Sequence, residues 1–134
     1  MAVLIDTDLL VAGERAGDLG ALEERLGEED RAISVITASE LLHGVHRARG
    51  ALRARRRAFV EHLLAGLEPV PITTPVARVH AELWADLAAR GGVIGAHDLW
   101  IAATAVAHGM ALATGNRGEF RRVRALRLIA VDVT

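Results

Sequence analysis

The stretch HDLWIAATAVAHGMALAT, residues 97–114, decides the fold. From His97 to His108 it is apolar nearly all the way round at helical spacing, and a helix without a polar face is a buried one. Gly109 then supplies the residue that ends helices in the left-handed conformation. Ala111-Leu-Ala-Thr114 follows as a short apolar run that reads as a strand. A buried helix handing over to a buried strand is the repeating step of a sheet covered by helices.

The same step recurs outward in both directions. Val3-Leu4-Ile5 reads as a strand stopped by Asp6, Ala32–Ile36 as a second strand, and Leu128–Val131 as the last. A short helix is expected after Asp8, which would cap it. Asp18–Leu26 is amphipathic through Leu19, Leu22 and Leu26. Thr37 opens a helix carrying Leu41, Leu42 and Val45, and Arg47–Leu67 continues helically after Gly50. Pro69–Thr73 is extended, because each proline restricts the residue before it. Pro75–Arg90 is a helix stopped by Gly91 and Gly92. Alternating strands and helices predict an α/β fold, a three-layer α/β/α sandwich around a mostly parallel sheet. No linker, internal repeat or low-complexity run divides the chain, so residues 1–134 are expected to form one domain.

Composition agrees. With 134 residues, 51% of them hydrophobic, the chain is long enough to bury roughly 68–70% of its unfolded surface in one core. It has no cysteine, which excludes disulfide scaffolds, thiolate catalysis and Cys-ligated metal centres. Aromatics make up only 3%, with no tyrosine, which argues against a base-stacking platform. The N-terminus meets Asp6 too soon for a signal peptide, and no window approaches a membrane span. A cytoplasmic protein with no membrane partner is expected.

The net charge of −1 conceals an uneven distribution. Residues 1–46 hold ten acids against three arginines, whereas residues 47–57 hold six arginines and no acid. A second basic cluster runs from Arg117 through Arg121 to Arg127, and the chain has no lysine at all. Arg53, Arg55, Arg56, Arg57, Arg117 and Arg121 are therefore candidates for gripping a nucleic-acid backbone, because a guanidinium fork matches phosphate oxygens. The plainer reading is a solvated helix face.

Open α/β sheets bind ligands beyond the carboxyl ends of their strands. Asp6 stands at such an end, Glu40 follows the second strand, Asp98 opens the buried helix, and Asn116 and Glu119 follow Thr114. Gathered together, these acids would repel one another unless a hard cation sat among them, and all-oxygen donors suit magnesium or manganese. Each acid also has an ordinary reading. Thr37-Ala-Ser-Glu40 fits a capping box, and Asp98 suits the positive end of a helix dipole. Asp6 is harder to explain away, because a carboxylate after a buried strand needs donors, a cation or a metal. Glu40, His43 and His46 at three-residue steps suggest a rival zinc or iron site, although the third position drifts round the helix.

Four blocks together resemble the PIN-domain family. They are Ile5-Asp6-Thr7-Asp8-Leu9-Leu10, Thr37-Ala-Ser-Glu40-Leu41-Leu42-His43-Gly44, His97-Asp98-Leu99-Trp100-Ile101-Ala102-Ala103-Thr104-Ala105, and Leu112-Ala-Thr114-Gly-Asn116-Arg-Gly-Glu119-Phe120. In order and spacing they are most similar to the VapC-like toxins of toxin–antitoxin pairs. The resemblance implies a PIN-like fold and an endoribonuclease dependent on Mg2+ or Mn2+, using metal-activated water. It implies Asp6, Glu40 and Asp98 as metal ligands, Thr7 and Thr114 as supporting residues, and either Asn116 or Glu119 at a fourth catalytic position. It further implies a homodimer, an RNA substrate and a cognate VapB-like antitoxin. The alternative is a catalytically inactive PIN-like module that binds RNA or protein; a DNA-cutting relative is a third reading, disfavoured by the short chain.

Overall fold

The computed structural model describes residues 2–132. Its strands β1 (Ala2–Ile5), β2 (Asp30–Ala32), β3 (Ala111–Thr114) and β4 (Leu128–Ala130) form one sheet in the order β2-β1-β3-β4. Every neighbouring pair is parallel. The helices are α1 (Thr7–Ala16), α2 (Gly20–Leu26), α3 (Val35–Arg47), α4 (Gly50–Gly66), α5 (Thr74–Ala89) and α6 (Ala96–Ala107), with a 3-10 turn at Phe120–Arg122. The expected α/β/α layering is therefore present, with an all-parallel sheet at its centre.

Alternation along the strands builds the layers, since successive side chains point to opposite faces. Val3 and Ile5 of β1 and Ala113 of β3 join Leu9, Leu10, Leu22, Leu41 and Val60 from α1–α4 in one core cluster. Leu4 and Leu112 point the other way, into a second cluster with Leu87, Leu99, Ile101 and Ala105 from α5 and α6. A strand buried on both faces reads as a continuous apolar run, which is why β1 and β3 were recognisable. Outside this second cluster, His80 of α5 stacks on Trp100 of α6, with ring centroids 3.5 Å apart and planes inclined by 16°.

The chain runs from β1 to β2 on one side, then crosses back over β1 to reach β3 on the other. The strand order reverses between β1 and β3, and in parallel sheets the crevice beyond the carboxyl ends at such a point is where ligands bind. Asp6 and Thr114 are the residues at that crevice.

Several local expectations need correction. The second strand occupies residues 30–32 rather than 32–36, with only an isolated parallel bridge from Ser34 to Val70 beyond it. Ser34 is the reason: its Oγ accepts from the Thr37 amide at 3.0 Å, so Val35 and Ile36 begin a helix instead of extending the strand. Thr37 is thus not an N-cap, and Glu40 has no capping box to close. Asp8 is not a cap either. Asp6 takes that place on α1, its Oδ1 accepting from the Thr7 amide at 2.8 Å, which leaves Asp8 in the first turn. Finally, Arg47 ends α3, and the chain breaks at Ala48 and Arg49 before Gly50, at φ +58°, starts α4.

Candidate active site

Asp6 is the centre of the crevice and is almost fully buried. Its backbone amide still donates to Ala113 as the last rung of the β1–β3 ladder, at 2.9 Å. Its carboxylate receives the Thr114 hydroxyl at 2.8 Å on Oδ2 and the Thr7 amide on Oδ1. Thr114 has one proton, so with that proton given to Asp6 its oxygen accepts from the Asn116 amide, at 3.0 Å.

Thr7 links this carboxylate to the next. Its Oγ1 donates to Glu40 Oε1 at 2.7 Å and lies 3.0 Å from Thr37 Oγ1, which in turn lies 3.2 Å from Ser34 Oγ. A single proton per hydroxyl makes this a directed chain, Ser34 to Thr37 to Thr7, ending on the Glu40 carboxylate. Ser34 and Thr37 are fully buried, and among the described residues no buried side-chain polar atom lacks a partner. Glu40 lies in the second turn of α3, and its Oε2 is 3.4 Å from His97 Nδ1.

Asp98, in the first turn of α6, faces Glu119 closely enough to share a hydrogen bond with it, and Glu119 Oε2 also accepts from the Gly95 amide at 3.1 Å. Asn116 turns inward on its own loop, its Oδ1 accepting from the Gly118 amide at 3.2 Å. The structure thus brings Asp6, Glu40, Asp98 and Glu119 to one end of the sheet. It adds Asp8, Ser34, Thr37 and His97, which the sequence reading passed over or gave other roles.

The electrostatics follow from this crowding. Burial first, then the charge of Asp8, raises the Asp6 pKa to about 7, against the opposing hydroxyl and amide donors. Burial, then the charges of Glu119 and Glu40, raises Asp98 to about 6. Asp8 is raised as well, chiefly by burial. At Asp6 and Asp98 the raising causes are burial and neighbouring carboxylates. An anionic cluster of this kind favours protons or an external cation.

A cavity of about 640 Å³ adjoins the acids. Thr7, Glu40 and His97 line it beside the site, with Phe59 and Val60 among its apolar residues and Arg56 also lining it. The α4 arginines do not act as one patch. Arg56 lies 3.9 Å from Glu14 and donates to the Gly44 carbonyl, and Arg53 approaches His46 at 3.4 Å. Arg55 and Arg57 are exposed, as are Arg117 and Arg121 beyond β3. Glu40 and His43 line the cavity, but His46 sides with Arg53, so the rival histidine set does not converge.

The model of the PIN domain family matches residues 3–126. The chain belongs to the PIN-domain family. Ribonuclease VapC1 of Rickettsia felis is 33% identical to this PIN domain over 133 residues, covering 98% of each chain. The tRNA(fMet)-specific endonuclease VapC of Salmonella typhimurium is 32% identical over 96 residues, covering 72% of this chain and 71% of its own. Among solved structures, that of VapBC2 from Rickettsia felis bound to a DNA fragment from its promoter superposes with a TM-score of 0.85. Identity there is 27%, and the match covers 96% of this PIN domain and 97% of that chain. The match extends from β1 to the segment before β4, so it contains every acid gathered in the crevice.

Proposed function

We propose that this PIN domain is the ribonuclease toxin of a toxin–antitoxin pair, hydrolysing RNA phosphodiester bonds at the carboxylates where β1 and β3 end. The observation that carries the reading is the gathering of Asp6, Glu40, Asp98 and Glu119 at one end of the sheet, where burial and neighbouring carboxylates push Asp6 to about 7 and Asp98 to about 6. Oxygen donors in a partly buried anionic crevice fit Mg2+ or Mn2+. Among the described residues no three acidic or imidazole side chains already converge as a metal cage. Mg2+ does not require one, since it commonly takes one or two carboxylates and keeps waters and substrate phosphates as its other ligands.

Asp6, Glu40 and Asp98 would hold the ion. We assign the fourth catalytic position to Glu119 rather than Asn116, because Glu119 touches Asp98 while Asn116 binds its own loop. When bound, the cation supplies Lewis acidity at the phosphoryl group and lowers the pKa of water. The protein's part is orientation. Thr114 and Thr7 fix both oxygens of Asp6, and the Ser34–Thr37–Thr7 chain fixes Glu40. Arg55, Arg57, Arg117 and Arg121 provide sequence-independent attraction for the RNA backbone.

The partners follow from the same reading: RNA as substrate, a VapB-like antitoxin as inhibitor, and a second copy of the chain in a homodimer. The Rickettsia felis neighbour is a VapBC assembly, and the Salmonella typhimurium relative is named for cutting a tRNA. We take residues 1–134 as one such unit, acting in the cytoplasm where its substrate is made. Among the described residues no helix is long and apolar enough to cross a membrane.

The test is cleavage of a panel of transcripts, tRNA included, by the purified chain in Mg2+, in Mn2+ and in EDTA. Cleavage that needs the cation and leaves DNA of the same sequence intact is expected. RNA bound tightly but never cut would return the domain to the inactive-module reading.

A further inference from the structure

The structure assigns Asp8 a positioning role in the cleavage reaction: its carboxylate clamps the Gly115 amide and thereby sets the path of the segment that ends at Glu119. The inference rests on the nuclease reading and adds a residue to it. Three successive links join the β1–α1 junction to the end of β3. The Asp6 amide donates to the Ala113 carbonyl, the Thr114 hydroxyl to Asp6 Oδ2, and the Gly115 amide to Asp8 Oδ2 at 3.1 Å, with Oδ1 at 3.5 Å. The first is an ordinary ladder bond. Beyond it the backbones diverge, because the chain after Asp6 turns into α1 and no longer offers carbonyls to the sheet. Side chains continue the pairing where the backbone stops.

The link matters because of what Gly115 leads into. Residues 115–119 carry Asn116 and Arg117 and end at Glu119, whose carboxylate is tied to the Gly95 amide and Asp98. This segment is therefore a strut between the two arms of the site, with Asp6 at one end and Asp98 at the other. Glu119 anchors the far abutment and Asp8 the near one. Freeing Gly115 from Asp8 would leave the near end of the strut held through Thr114, by its contacts with Asp6 and Asn116 and by the Val131 amide on its carbonyl, with no bond to Gly115 itself from α1. A carboxylate three residues past β1 is well placed for this, since the first turn of α1 lies directly beside the end of β3.

Two substitutions in the full chain separate the hydrogen bond from the charge. Asp8→Asn keeps an oxygen that accepts from Gly115 and a polar side chain beside Asp6 but removes the negative charge, whereas Asp8→Ala removes the charge, the Gly115 bond and the side-chain contact with Asp6. In Asp8→Ala, amide exchange at Gly115, followed by NMR without metal, should quicken by about tenfold. With saturating Mg2+, its single-turnover cleavage rate should fall by about tenfold or more, with RNA affinity within about twofold of wild type. Asp8→Asn should restore both exchange and rate to within about threefold. Asp8→Asn as slow as Asp8→Ala would show that the charge matters rather than the clamp, and overturns the assignment. So does Asp8→Ala changing only one of the two readouts, or neither. Should the wild-type chain cut no RNA under any metal, the nuclease reading fails, and the positioning role falls with it even if exchange shows the clamp to exist.

Discussion

The Thr114 hydroxyl donates to Asp6 Oδ2 across 2.8 Å, joining the ends of β1 and β3, the parallel strands between which the strand order reverses. Both residues are buried, and 108 positions separate them in the chain. The bond therefore fastens the sheet and aims its central carboxylate at once. Thr114→Val keeps the shape and deletes the donor, leaving a buried carboxyl with one fewer partner. Denaturant unfolding should show a loss of about 1–3 kcal/mol, and Thr114→Ser should recover most of it. Equal stability of the valine and serine variants would mean that the bond contributes nothing.

Stability should depend on pH in a defined direction. The folded-state pKa values of Asp6 and Asp98 lie at about 7 and about 6, above the ordinary 3.8 of the unfolded chain. Between those limits the folded protein holds more protons than the unfolded one, so stability falls as pH rises. The stabilising protons are fully bound below pH 4 and lost through pH 6–7. The trend is read from pH 5 upward. Thermal melts without metal should show a falling Tm across it, and Asp6→Asn should flatten the slope and raise Tm at pH 7. Added Mg2+ should raise the wild-type Tm at pH 7 and leave Asp6→Asn nearly unmoved. A Tm that rises with pH through this window would overturn the electrostatic picture of the crevice.

The arginines are expected to differ among themselves. Arg55, Arg57, Arg117 and Arg121 are exposed, while Arg56 is engaged by Glu14 and the Gly44 carbonyl. With cleavage disabled by Asp98→Asn, Arg57→Gln or Arg121→Gln should each weaken RNA binding and reduce the slope of log K against log salt by about 0.7. Arg56→Gln should change that slope less and instead cost some stability, by unpairing Glu14 at the cavity. Identical slopes for all three variants would mean that RNA does not track these side chains.

The central strands should be sensitive to truncation. Leu4 is fully buried on β1 between β2 and β3, against the core formed with α5 and α6. Leu4→Ala should cost about 2–5 kcal/mol in urea unfolding. A cost below about 1 kcal/mol would show that this face of the sheet is not packed as described.

What could be read from the sequence was what local chemistry determines. The buried helix near 97–108 and strand 111–114 were legible because an unbroken apolar surface has few alternatives, and Gly109, at φ +67°, marks the turn between them. The border between β2 and α3 was not, because Ile33-Ser34-Val35-Ile36 has strand-like side chains and only the Ser34 cap commits it to a helix. Asp6, Glu40 and Asp98 stood out singly, and their motif blocks pointed to one family. Their meeting depends on strand order, which spacing does not encode. Asp8 was misread for the same reason: its partner, Gly115, lies 107 residues away. The α4 arginines were misleading in the opposite sense, since neighbours in sequence point to different sides of a helix.

The central claim is that the crevice acids catalyse cation-dependent RNA cleavage, and the single-turnover cleavage rate of Asp98→Asn against wild type, at saturating Mg2+, tests it most directly. Asp98 is partly exposed, so its replacement spares the core while removing a carboxylate next to Glu119 and Glu40. The variant should fold, bind RNA as tightly as wild type and cut at least about a hundredfold more slowly. Cleavage by Asp98→Asn at the wild-type rate, or wild-type cleavage that persists in EDTA, would contradict it.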